Sequence, residues 1–140
     1  TQCLMATSGT PKEGRDNIIS DRVYTTGTLD LRLYVNLANS LDADTVFDDL
    51  TEPTGTGYAA ITLNGVYSET DGVVTYDHGT PDDPIFENTE SEGGSNWSNP
   101  ITGVAMTDGT YVLHFQDLTS SVTMTPGKKL QIDVSSLIAP

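Results

Sequence analysis

From residue 29 the chain alternates at period two. Leu29, Leu31, Leu33 and Val35 fall on one face of an extended segment, and Asp30, Arg32 and Tyr34 on the other. This predicts a half-buried strand, the second half of an extended stretch that begins at Arg22. A second alternation covers residues 58–63, where Tyr58, Ala60 and Thr62 interleave with Ala59, Ile61 and Leu63. It is entered through residues 50–57 (LTEPTGTG), in which Pro53 fixes one backbone angle and Gly55 and Gly57 open conformations that a side chain would forbid. Further strands are expected at 66–69, 73–76, 101–106, 111–115, 121–125 and 129–134. Asn64-Gly65, Asp71-Gly72, Asp108-Gly109, residues 116–120 and Pro126-Gly127 are the turns between them. In residues 111–115 the alternation puts Val112 and His114 opposite Tyr111, Leu113 and Phe115, so His114 is expected to be a partly exposed strand histidine.

Three segments break this rhythm. Residues 41–50 (LDADTVFDDL) have the spacing of one or two helical turns, with Asp44 capping and Val46, Phe47 and Leu50 facing inward. Residues 77–96 are polar, with two prolines and a glycine pair, and are expected to form one long loop closed by Trp97. Residues 1–21 carry no sustained period and read as an N-terminal arm that orders on a neighbour, or equally as a plain terminus. Lys12 and Arg15, with Arg22 at the border, give this end half of the chain's six basic residues. The expected organisation is therefore an arm over 1–21 and a single β-sandwich domain over 22–140, all-β and antiparallel, with at most one short helix.

Composition narrows the function classes. The chain has 140 residues, with 20 acidic against 6 basic side chains and a net charge of −14. Such a charge repels nucleic acid and anionic membrane surfaces, so neither is an expected partner; it fits either a solvated acidic surface or docking on a positively charged protein. Cys3 is the only cysteine, which excludes an internal disulfide and a thiolate metal site. No run of eighteen apolar residues and no secretory leader pattern is present, and the expectation is a soluble mature chain.

The chemistry-bearing residues form no recognised constellation. No serine lies in a Gly-x-Ser-x-Gly elbow. The acidic residues Asp42, Asp44, Asp48 and Asp49 lack the spacing and the glycine of a helix–loop–helix calcium site, and read as caps or as a solvated face. His78 sits near Asp77, Asp82 and Asp83 and reads as a surface histidine. Paired carboxylates of the glycosidase kind stay open, since twenty acidic residues can always be paired on paper and their separation in space is not read from sequence. The expectation is no catalysis, no cofactor and no metal. Tyr58 and Trp97 are the candidate core or interface anchors. Asn96-Trp97-Ser98 matches the short glycosylation acceptor pattern.

Four segments carry a family likeness: residues 31–36 (LRLYVN), residues 50–63 with their Thr-Glu-Pro and Gly-Tyr-Ala elements, Trp97 followed by residues 101–104 (ITGV), and residues 122–130 with Pro126-Gly127 leading to Leu130. Over residues 28–139 the chain resembles small β-rich structural proteins of tailed phages, of the capsid decoration or cement kind. The resemblance implies a jelly-roll-type sandwich that binds and stabilises an assembled capsid from its exterior, with the major capsid protein as partner and a homotrimer on a three-fold position. It would make Tyr58 and Trp97 anchors and put Arg15 and Arg22 on an arm that ties copies to the shell. The arm and residues 77–96 depart from the family pattern. The alternatives are a carbohydrate-binding or adhesive β-sandwich, with Tyr67, Tyr76 and Trp97 as its aromatics, and a fibre or tail structural subunit of the virion.

Overall fold

In the computed structural model, which describes residues 5–9, 11, 29–63, 66–70, 73–77 and 84–133, the described residues form nine strands. These are β1 (Met5–Gly9), β2 (Leu29–Tyr34), β3 (Ile61–Leu63), β4 (Val66–Thr70), β5 (Val73–Asp77), β6 (Ile85–Glu87), β7 (Ile101–Thr107), β8 (Val112–Val122) and β9 (Lys129–Gln131). Five of them make one sheet in the order β1-β8-β7-β2-β3, with every neighbouring pair antiparallel. β4 and β5 form a hairpin, and β6 and β9 a second antiparallel ribbon. The expected all-β, antiparallel class is what the chain adopts. The one helical segment among the described residues is a 3-10 turn at Phe47–Asp49.

Both faces of the five-stranded sheet are covered. On the first, Leu29, Leu31, Leu33, Leu63, Val104 and Met106 pack into one cluster with Phe86 of β6 and Leu130 of β9; Trp97, Ile101, Leu113, Leu118, Met124 and Ile132 complete it. The inward members of the ribbon alternate with exposed or half-buried Ile85, Glu87, Lys129 and Gln131, the pattern of a strand pair with one dry side. On the second face Tyr34, Ala105, Val112 and Phe115 form a smaller cluster under Leu41, with Phe47 and Leu50 packed against it. The segment between β2 and β3 thus acts as a lid on that face. Burying a large apolar side chain is worth about 1.5–3 kcal/mol, so these two clusters are what hold the layers together.

Several expected elements differ from the observed ones. The strand at 58–63 is shorter, β3 beginning at Ile61, because Tyr58 turns its ring into the first core cluster instead of continuing the ladder. Residues 77–96 are not one loop. Asp77 ends β5, and Ile85–Glu87 is β6, with Phe86 in the core. The helical reading of residues 41–50 reduces to the 3-10 turn. Its N-terminal cap is Val46, whose N–H donates to the Asp49 carboxylate at 2.9 Å, and Val46 is 42% exposed instead of inward.

The expected turn at 116–120 does not form, and β8 runs unbroken to Val122. What the polar run produces is an offset: Gly103 faces Asp117 while Ile101 faces Val122, so β8 carries three more residues than β7 over that interval. The surplus falls on exposed Thr119, Ser120 and Ser121. Part of the expected arm is also structured, since Met5–Gly9 forms edge strand β1 against β8. Arg15, Arg22, Cys3, His78 and the Asn64-Gly65 and Asp71-Gly72 turns lie outside the described residues.

Candidate functional site

β3 ends before β2 does, which leaves the last part of β2 at an open sheet edge. Leu31 pairs with Ile61, but Leu33 has no strand residue opposite it on that side. An open edge presents backbone N–H and C=O groups that need partners. Here a side chain and a backbone carbonyl supply them. The Leu33 N–H donates to the Tyr58 hydroxyl at 3.2 Å, and one step further the Val35 N–H donates to the Thr51 carbonyl at 2.8 Å. The Tyr58 hydroxyl in turn donates to Glu52 Oε1 at 2.5 Å. Glu52 Oε2 accepts from Arg32 Nη1 at 3.0 Å, and Arg32 Nε donates to Thr107 Oγ1 at 3.1 Å on the neighbouring strand. Arg32 also pairs with Asp30 at 3.4 Å, and its guanidinium lies 5.2 Å from the centre of the Phe47 ring.

The Tyr58 ring packs between two others. Its centroid is 6.0 Å from Phe86 in a stacked arrangement and 5.3 Å from Trp97 edge-on. Burial first, and then the bond to Glu52, push the Tyr58 phenol well above its ordinary pKa, so it stays a protonated donor. Trp97 is 3% exposed, and its Nε1–H donates to the Thr56 carbonyl at 2.9 Å. The ring lies against Gly55, where a Cβ would overlap it. The two anchors chosen from sequence, Tyr58 and Trp97, are therefore brought into direct contact. Both serve the core: the Pro- and Gly-rich run at 50–57 is the seat of the tryptophan.

A second polar joint crosses three strands. Tyr34 on β2, Gly103 on β7 and Asp117 on β8 stand side by side in register. Because Gly103 has no side chain, the Tyr34 ring lies flat across β7; a Cβ there would sit inside the ring. The hydroxyl reaches Asp117 Oδ1 at 2.6 Å, and Asp117 Oδ2 accepts from the Asn39 N–H at 2.8 Å. Asp117 is 2% exposed, so both donors hold a buried carboxylate. Burial and then Asp117 drive the Tyr34 phenol far above the normal range. Asn88 organises the chain on the other side of the molecule: its Nδ2 donates to the Ser95 and Met124 carbonyls, and its Oδ1 accepts from the Glu90 N–H.

Asp42 Oδ1 accepts from the Asp44 N–H at 2.9 Å, and Asp49 accepts from the Val46 N–H, so these carboxylates cap turns. Among the described residues no group of three or more histidine, cysteine, aspartate or glutamate side chains converges as a metal site would. His114 is 6% exposed, not partly exposed. An irregularity in the β7–β8 register, in which Thr107 faces Val112 and Met106 faces His114, shifts the strand by one residue and carries His114 to the first face. Burial lowers its pKa to about 4, against a smaller opposing effect of Gln116, and it is neutral at pH 7.

The sequence reading missed Glu52, Arg32, Tyr34, Gly103 and Asp117 as a set. The available signal was Asp30, Arg32 and Tyr34 on the supposedly wet face of β2, a tyrosine and an ion-pairing arginine being suited to burial. Arg32 meets Glu52 20 residues away and Tyr34 meets Asp117 83 residues away, where no local pattern reaches. No family model, no curated protein and no solved structure matches the chain.

Proposed function

We propose that the chain is a structural protein of a phage virion of the capsid decoration kind, binding the exterior of an assembled shell through the major capsid protein and stabilising it by surface burial without catalysis. In this reading three copies sit on a local three-fold position, where a closed ring satisfies the symmetry of the shell. The fold is then a jelly-roll-type sandwich in which the β6–β9 ribbon belongs to the second layer over the first face of the large sheet. Weak binding per copy suffices when several contacts engage together.

The observation that supports it best concerns the block most specific to the resemblance, residues 52–63. Glu52 and Tyr58 close an open sheet edge, and the glycine turn seats Trp97. A motif used in this way belongs to a rigid scaffold whose function lies in its outer surface. Trp97, with its ring buried, offers no face on which a sugar ring stacks, which weighs against the carbohydrate-binding alternative.

The test is co-sedimentation of the purified chain with bare capsids, alongside analytical ultracentrifugation of the free protein. Binding that saturates at a fixed ratio to capsid protein, from a species of three-chain mass, is the expected result. If the chain remains in the supernatant at every concentration, the decoration reading fails, and a glycan screen then addresses the alternative.

A further inference from the structure

Leu37 is 81% exposed, the most water-exposed of the large apolar side chains described. It is not on a loose loop. Flanking Asn36 bonds in two directions, its Nδ2 donating to the Asp49 carbonyl at 2.8 Å and its Oδ1 accepting from the Thr51 N–H at 2.8 Å. The Asn36 carbonyl accepts from Thr102 Oγ1 of β7, the Ser40 N–H donates to the Leu37 carbonyl at 3.1 Å, and the Asn39 N–H is held by buried Asp117. Inward, Leu41 is buried and Phe47 and Leu50 pack on the core; outward, the same loop presents Leu37 and Val46. Both outward residues are tied to Asp49, Leu37 through its neighbour Asn36 and Val46 through its own N–H.

The described surface around them is acidic: Arg32, whose guanidinium lies 5.2 Å from the Phe47 ring, is itself paired with Asp30 and Glu52. Asp42, Asp44, Asp48 and Asp49 are all exposed on this loop, and the sequence has no lysine or arginine between residues 33 and 127. An apolar knob on a fixed loop within an acidic rim complements an apolar socket bordered by basic side chains, and repels anionic lipid and nucleic acid. Because the loop is already braced, little ordering is needed on docking.

We infer that the 36–50 loop is the docking surface of this chain, with Leu37 entering an apolar socket on the capsid protein and the aspartate rim facing lysine and arginine side chains around it. This rests on the decoration reading and names the surface it uses. It is tested by saturating co-sedimentation with bare capsids for the full chain, Leu37→Ser, the double variant Asp44→Lys/Asp48→Lys, and Ile85→Ser as a control that removes an exposed apolar group elsewhere.

Leu37→Ser is expected to weaken binding roughly tenfold or more, the equivalent of burying one leucine, with an unchanged melting temperature. The lysine pair is expected to weaken binding and flatten its salt dependence, while Ile85→Ser binds as the parent. Parent binding with no loss in Leu37→Ser overturns this inference and leaves the decoration reading standing. A parent that fails to sediment overturns both. Melting lowered by Leu37→Ser as much as by a core substitution also overturns it, because the side chain would then be serving the fold.

Discussion

Replacing Tyr34 by Phe removes one oxygen and little else, which makes it the sharpest probe of the joint across β2, β7 and β8. The ring keeps its seat over Gly103, so the apolar term is nearly unchanged. What is lost is a 2.6 Å bond to a carboxylate that is 2% exposed, leaving Asp117 without one of the two donors that hold it. A hydrogen bond to a charged group contributes about 1.5–3 kcal/mol, and a buried group deprived of its donor adds desolvation cost, so a loss of about 2–3 kcal/mol is expected.

Urea unfolding followed by Trp97 fluorescence measures it. Repeating the measurement in an Asp117→Asn background closes a double-mutant cycle, with a coupling energy of about 1–2 kcal/mol expected. Gly103→Ala drives a methyl group into the Tyr34 ring and should cost more than Tyr34→Phe. In a Tyr34→Ala background, where the space is vacated, most of that cost should disappear. A Tyr34→Phe loss under ~0.5 kcal/mol, or a Gly103→Ala cost that persists without the ring, would refute the account of the joint.

Three more outcomes are expected. The native state keeps the Tyr34 and Tyr58 phenols protonated where the unfolded chain loses those protons, so stability should fall as pH rises above about 10; Tyr34→Phe should flatten that fall in alkaline titrations of the unfolding midpoint. His114 works in the opposite direction: its folded pKa of about 4 against 6.5 unfolded means that the unfolded state binds the extra proton, so stability falls with decreasing pH. Between pH 7 and pH 5 this amounts to roughly 2 kcal/mol, and equilibrium unfolding of His114→Leu should lack that component; parallel curves for the two proteins would sink it. Tyr58→Phe should raise amide hydrogen exchange at Leu33 about tenfold, because the backbone group at the open edge of β2 loses its partner at a cost of ~1 kcal/mol, while amides in the β7–β8 ladder should be unaffected.

The class of structure and much of its first core are legible in the sequence, though Phe86 and Leu118 of that core fall where a loop and a turn were expected. Period-two alternation at residues 29–35 and Gly- or Pro-centred turns are local consequences of strand geometry, and they identified β2, β7, β9 and the apolar cluster beneath them. They also marked Tyr58 and Trp97, whose size makes burial the favourable outcome wherever they fall. Alternation misled where the sheet has a second dry face. Tyr34, Arg32 and Asp117 look solvated because they are polar, yet Tyr34 and Asp117 are buried and Arg32 is largely covered, each with a partner on another strand.

Those pairings arise from the way the strands come together. The glycine that admits Tyr34 is fixed by the register of β2 on β7, and the hydroxyl that closes the β2 edge is called for because β3 begins only at Ile61. The burial of His114 follows from a one-residue irregularity in a strand pair. Leu37 carries the same lesson outward. In sequence it is one more apolar residue near a turn; its exposure results from Asn36 and Asn39 being held by Thr102 and Asp117, far along the chain. Local pattern records what a residue prefers, whereas burial and pairing depend on which distant segment arrives opposite it.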